Sequence, residues 1–146
     1  MTGPYHSGMH APALFTPDAI ETLADTLRRA DWALADAGPD HPLLQAAADE
    51  ARAHADAGRL QAAATGRADG RAFAGLRGDS TLWLDDPACG EAARTLLAAL
   101  DGLRSELNRR LLLGLEEVEA HFAHYPPGAA YARHRDRFAN SDARVL

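Results

Sequence analysis

A chain of 146 residues with 47% hydrophobic residues can bury the core of one domain, and its formal charge of -6, from 21 acidic and 15 basic residues, argues against a nucleic-acid partner, which needs a clustered positive surface. The single cysteine, Cys89, cannot form an internal disulfide and fits a reducing cytoplasm. Neither a signal peptide nor an apolar run of about 20 residues occurs, so the expectation is a soluble cytoplasmic protein with no membrane partner.

Residues 1–15 are rich in Gly, Pro and His without periodicity, which predicts a flexible lead-in; His6 and His10 there offer only an adventitious metal site. Thr16-Pro17-Asp18 then starts a helix, with Thr16 as N-cap, Pro17 at the first helical position and Asp18 facing the positive end of the dipole. Ile20, Leu23, Ala24 and Leu27 give it one buried face. Trp32-Ala33-Leu34 reads as a short strand or a frayed helix end before Gly38-Pro39. His41 to Ala57 forms a second helix, closed by Gly58, with His54 exposed on it.

Four glycines punctuate the stretch from Arg59 to Asp86, and Ser80 to Leu84 reads as a strand. Arg77-Gly78-Asp79 spells a cell-adhesion tripeptide, but three-letter matches are common by chance and the chain has no secretion signal. Pro87 is expected to start the longest helix, whose Leu96, Leu100, Leu103, Leu107 and Leu111 should pack along a sheet until Gly114 breaks it. Glu116 to Tyr125 alternates as a strand, with Val118, Ala120, Phe122 and His124 on one side and His124 packed beside Phe122. Pro126-Pro127-Gly128 forces a turn, and a second strand should run from about Ala130 to Phe138.

That second strand carries His134-Arg135-Asp136. Side chains at i and i+2 leave a strand on the same face, so His134 and Asp136 could reach one metal ion. An imidazole and a carboxylate so placed supply two of the three ligands of the facial triad that holds non-haem Fe(II). The triplet alone favours the plainer reading, a surface strand with two polar residues. His121 and His124, three apart on a strand, point to opposite faces and should not chelate one metal.

The surroundings decide for the metal. YPPGAAYARHRD, Tyr125 to Asp136, resembles the Y-P-x-G-x-x-Y-x-x-H-x-D entrance to the metal strand of the prolyl 4-hydroxylase-like iron(II)- and 2-oxoglutarate-dependent dioxygenases. LRGDSTLWLDD, Leu76 to Asp86, is similar to the R-G-D-x-x-x-W stretch of the oxygen-sensing prolyl hydroxylases and their bacterial relatives, and Leu107-Asn108-Arg109 is similar to their L-N-x segment. The resemblance implies an α+β fold in which N-terminal helices, over about 16–113, pack on the beginning of a double-stranded β-helix (jelly-roll), with metal-site strands over about 116–146 of a single domain spanning 16–146.

It also implies His134 and Asp136 as iron ligands, Tyr125 and Tyr131 as 2-oxoglutarate-pocket residues, and Arg144, Arg77, Asp79 and Trp83 as substrate-binding residues. An Arg-Asp surface pair and a core tryptophan explain the last three as well, and a buried aromatic next to the turn explains Tyr131 equally. The implied cofactors are Fe(II), 2-oxoglutarate and ascorbate; the implied partners are dioxygen and a protein or peptide substrate, hydroxylated at a prolyl residue. In the family a distal iron histidine, a basic residue for the far carboxylate of 2-oxoglutarate and the closing strands follow H-x-D, whereas this chain stops at Leu146. The expectation is therefore the N-terminal portion of a dioxygenase with an incomplete jelly-roll, inactive alone. The competing readings are a non-enzymatic α+β module that binds a partner through the leucine helix or the Arg/Gly loop, and another metalloenzyme using His124, His134 and Asp136.

Overall fold

Thr16 opens the first helix as its side chain requires: Oγ1 accepts the Ala19 N–H at 3.2 Å, and helix α1 runs Pro17–Ala30. The computed structural model describes residues 13–38, 40–63 and 77–133. The chain divides into two compact units, one of Met1–Arg59 with Leu82–Phe122, the other of Leu60–Thr81 with Ala123–Leu146. In chain order the further elements are α2 (Pro42–Asp56), β1 (Gln61–Ala62), β2 (Ser80–Trp83), α3 (Glu91–Leu111) and β3 (His121–His124). The strands form a sheet of order β1-β2-β3. The architecture is small and α+β. No helix among the described residues is long and apolar enough to cross a membrane.

In the first unit α3 packs against α1 and α2, rather than along a sheet as its leucine stripe suggests. The reason is that helix faces are available to it: Ile20 and Ala24 are the buried residues of α1, Ala47 and His54 those of α2, and Ala93 that of α3. The alanine at one of these positions in each helix lets the helices approach closely, while Leu96, Leu100, Leu103 and Leu107 stay half-buried. His54 is therefore not the exposed residue expected; only 4% of its surface is accessible. It lies seven residues, two helical turns, after Ala47 and so shares that residue's inward face. His54, and not the exposed His124, is the ring beside Phe122, with centroids 6.4 Å apart.

The helix starts differ in instructive ways. His41 lies outside α2 as its N-cap, its Nδ1 accepting the Leu43 N–H at 3.2 Å. Pro87 does not open α3. Asp86 organises a turn instead, its N–H donating to the Trp83 carbonyl, its carboxylate accepting from Ala88 N–H and its carbonyl from Cys89 N–H, so that Gly90 becomes the cap. A glycine has no capping side chain, and the carboxylate of Glu50, on α2, does the work: it accepts the Gly90 N–H at 2.5 Å and the Ala93 N–H at 3.2 Å. A Cβ at position 90 would lie 2.9 Å from Glu50 Oε2, so this cap needs the glycine.

Residues 32–38 form no strand, and Trp32 is 66% exposed. The long strand expected from Glu116 shortens to four residues, His121–His124. Leu112 takes a left-handed conformation after α3, and Leu115 then bonds to α3 side chains instead of to a strand. Its N–H donates to Asn108 Oδ1, and its carbonyl accepts from Asn108 Nδ2 and from Arg104. Sheet-type pairing resumes where Leu84 N–H donates to the Ala120 carbonyl. In the second unit, β1, which the glycine-rich stretch did not announce, pairs antiparallel with β2 through Gln61 opposite Thr81 and Ala62 opposite Ser80. Of the strand expected from Ala130, the described part contributes the bridge of Tyr131 to Arg77.

Replacing Glu50 by Ala, or Gly90 by Ala, removes the same cap, and each should cost about 1–2 kcal/mol. The double variant should cost little more than either single one, which a double-mutant cycle of urea-unfolding curves will check; additive losses would mean that the two residues act independently.

Candidate functional site

Arg77, Asp79, Tyr125 and Tyr131 come together in the second unit. Two features of the backbone bring them there. Ala129 N–H closes the Pro126-Pro127-Gly128 turn on the Pro126 carbonyl at 2.9 Å, with Gly128 at a φ of 83° that favours glycine. Gly78 then donates its N–H to the Ala130 carbonyl at 3.1 Å, and because it lacks a Cβ the Ala129 side chain can lie against it; a Cβ there would sit 3.2 Å from that of Ala129. Arg77 and Asp79 flank this glycine, two residues apart in extended backbone, and so leave on the same side.

Their side chains form a fork. Arg77 Nε donates to Asp79 Oδ1 at 2.7 Å and a terminal nitrogen donates to Oδ2 at 2.5 Å, with the Asp79 side chain wholly buried and that of Arg77 nearly so. The Asp79 carbonyl also accepts the Ala63 N–H beside β1. The guanidinium carbon stands 4.5 Å above the centre of the Tyr131 ring, a cation–π arrangement. The Tyr125 hydroxyl faces the Asp79 carboxylate closely enough to hydrogen-bond it.

The electrostatics follow from that contact set. The hydrogen bond from Arg77 holds the Asp79 carboxyl below the usual carboxylate range, against burial, with further help from Tyr125. The same bond raises the Arg77 pKa. Burial and the Asp79 charge push the Tyr125 phenol up, so its proton stays in place at neutral pH. Asp79 is an acceptor within reach of that proton. A ligand anion approaching Tyr125 must either compete for it or accept from another group.

The expected site residues are thus only partly gathered by the described structure. Tyr125 and Tyr131 share one cluster with Arg77 and Asp79, and the Arg-Asp pair is buried rather than a surface contact. Trp83 ends β2 and meets His121 edge to face, ring centroids 5.0 Å apart. His134, Asp136 and Arg144 lie outside the described residues.

A group that the sequence reading missed lies in the first unit: Glu50, His54 and Cys89 each present one donor atom, all within 4.8 Å of one another. Among the described residues it is the one such trio of His, Cys, Asp or Glu. Its signal was present as a stripe, since Leu43, Ala47, Glu50 and His54 recur at steps of four, three and four along one face of α2. Burial and the neighbouring Glu50, Asp86 and Asp85 charges push the Cys89 thiol up, while the Gly90 and Ala93 N–H groups and His54 outweigh burial to hold Glu50 low.

No protein-family model matches the chain, and no curated protein matches it. Among solved structures, a prolyl-4-hydroxylase from Pseudomonas putida matches with a TM-score of 0.68 and 40% sequence identity, over 84% of this chain and 61% of that one. The fold is prolyl-4-hydroxylase-like. The chain spans about three fifths of that protein, 61% of its length.

Because the Asp79 pKa is depressed on folding, its contribution to stability is complete above the unfolded value near ~3.9 and is lost as pH falls through the folded value. Asp79→Asn should therefore cost about 3–5 kcal/mol at neutral pH by stranding a buried Arg77, and it should also remove this acid-dependent loss. Urea midpoints of both proteins between pH 7 and about pH 3 will check it; parallel curves would overturn the assignment.

Proposed function

We propose that this chain is part of an iron(II)- and 2-oxoglutarate-dependent dioxygenase that hydroxylates a protein or peptide at a prolyl residue, with its strands contributing to a jelly-roll. What carries the reading is the likeness to a prolyl-4-hydroxylase at 40% identity, in a chain whose Tyr125 to Asp136 segment reads as the entrance to a metal strand.

The donor chemistry fits iron. His134 and Asp136 would hold it, a neutral imidazole and a carboxylate suiting a borderline divalent ion, and both lie within three residues of Arg133, where the described chain leaves the Tyr131 bridge. When bound, the iron supplies the coupled decarboxylation of 2-oxoglutarate to succinate and carbon dioxide, with one oxygen atom of dioxygen entering a C–H bond of the substrate and the other entering succinate.

The rest is done by this chain's own groups. Tyr125 and Tyr131 would border the 2-oxoglutarate pocket, and Arg77 with Asp79 would position them, one by a cation–π contact and the other through the phenol hydroxyl. Asp79 has both oxygens engaged by Arg77, which favours a positioning role for the pair over direct substrate binding. Trp83 and Arg144 are assigned to the substrate side.

Since the chain spans 61% of the comparison protein, binding is a more direct readout than turnover. Anaerobic titration of Fe(II) with 2-oxoglutarate should give a metal-to-ligand absorption band in the wild type, and His134→Ala and Asp136→Ala should each weaken Fe(II) binding by about 10-fold or more. Equal binding by the wild type and both variants would overturn the reading.

A further inference from the structure

We propose that Glu50, His54 and Cys89 form a second, sulfur-containing metal site, suited to Zn²⁺, that fastens helix α2 to the turn before α3. It shares no residue with the proposed iron ligands, so either assignment can fail without the other.

The geometry rests on three observations. Glu50 and His54 are four residues apart on α2 and so lie one above the other on its inner face, while the Asp86 turn delivers Cys89 to the same place. The three donor atoms already lie within 4.8 Å of one another. Finally, Glu50 Oε1 and His54 Nε2 stand 3.6 Å apart, which is too long for a hydrogen bond but close to the ~3.3–3.5 Å that separates two ligands of a tetrahedral zinc with bonds of about 2.0–2.2 Å. Bringing the sulfur to bonding distance takes a movement of about 1 Å. A χ1 adjustment that turns Sγ away from the Trp83 carbonyl, now 3.2 Å from it, would supply that movement.

The imidazole is the second argument. His54 is 4% exposed, and its Nδ1 has no hydrogen-bond partner. A buried histidine is ordinarily held through both ring nitrogens, and this one has a carboxylate just out of reach on one side and nothing on the other. A cation bonded to the nitrogen that faces Glu50 gives the ring one strong interaction where it has none, and the other nitrogen keeps its present surroundings. Which ring nitrogen bears it depends on an assignment that a half-turn of the ring exchanges.

Charge and valence also balance. A carboxylate and a thiolate together neutralise a divalent ion, so the loaded site carries no net charge; the thiol proton leaves to the buffer as the Zn–S bond forms. Each Glu50 oxygen has two lone pairs, which lets the carboxylate keep the Gly90 and Ala93 N–H groups while it binds the ion. Three protein donors leave a fourth position for water.

Cobalt(II) reports on the site without ambiguity, because Cys89 is the only cysteine in the chain and a thiolate-to-cobalt charge-transfer band can arise nowhere else. The wild type should develop that band at one equivalent of Co²⁺ and lose it to Zn²⁺, and Cys89→Ser should never show it; His54→Gln should weaken Co²⁺ binding by about 10-fold or more. Zinc at a hundredfold excess over Kd should raise the thermal midpoint of the wild type by about 5–10 °C and that of Cys89→Ser by clearly less, any remaining shift being the share of the proposed iron ligands. In case the variants do not fold, alkylation of Cys89 in the wild type gives an independent measurement, and Zn²⁺ should slow it by about 10-fold or more. A folded wild type with no charge-transfer band, or with Cys89 alkylated equally fast with and without Zn²⁺, overturns the proposal.

Discussion

The helical unit depends on where one carboxylate goes. An α-helix opens with unpaired N–H groups, and α3, the longest element, opens on a glycine that offers them nothing. Glu50 reaches them from the middle of another helix. The bond is at once a cap, because it satisfies Gly90 and Ala93, and a tertiary contact, because it fixes α2 against the start of α3. A carboxylate at the positive end of a helix dipole, held by backbone donors that outweigh burial, stays ionised inside the unit, which is why a charged residue can occupy an otherwise apolar stripe.

The second unit solves a similar problem with different chemistry. A buried carboxylate is tolerable only when fully partnered, and Asp79 has the Arg77 fork, with Tyr125 beside it. The guanidinium spends its edge on Asp79 and its face on Tyr131, which is possible because the group is flat; a lysine could do one of these things and not both. An Arg-Gly-Asp tripeptide that in isolation suggests a docking loop is here a small internal truss, and its glycine serves the close approach of Ala129.

Several elements could be read directly from residues because their cause is local. Thr16-Pro17-Asp18 caps a helix by its own side chains, and Ser80 to Trp83 carries the β-prone Thr81 and Trp83. The Tyr125 to Asp136 pattern pointed to a prolyl 4-hydroxylase-like chain, and the structural likeness at 40% identity agrees at the level of fold. Where the cause lies elsewhere in the chain, the local pattern was a poor guide. Pro87 looked like a helix start, yet the cap for α3 comes from forty residues away. The alternation from Glu116 looked like a long strand, yet Leu115, the residue before it, is held by α3 side chains and only His121–His124 forms a strand. His54 looked exposed because it is polar, although its spacing from Ala47 put it inward. The two proposed iron ligands remain a reading of sequence, since the described residues end at Arg133.

Asn108 and Leu115 are joined by two hydrogen bonds, and these fix the count of residues that follows. An amide side chain that gives and takes with the N–H and carbonyl of a single residue behaves like one rung of a ladder, and Arg104 adds a second donor at the carbonyl. The linker out of α3 is thereby pinned five residues before Ala120 meets Leu84, so the number of residues available to cross that gap is fixed. Strand faces alternate by single residues, and a linker one residue longer or shorter would send the Phe122 ring outward and an exposed neighbour inward. The latch at Leu115 acts as a phase marker: it counts the chain so that the one buried aromatic of β3 arrives on the inside.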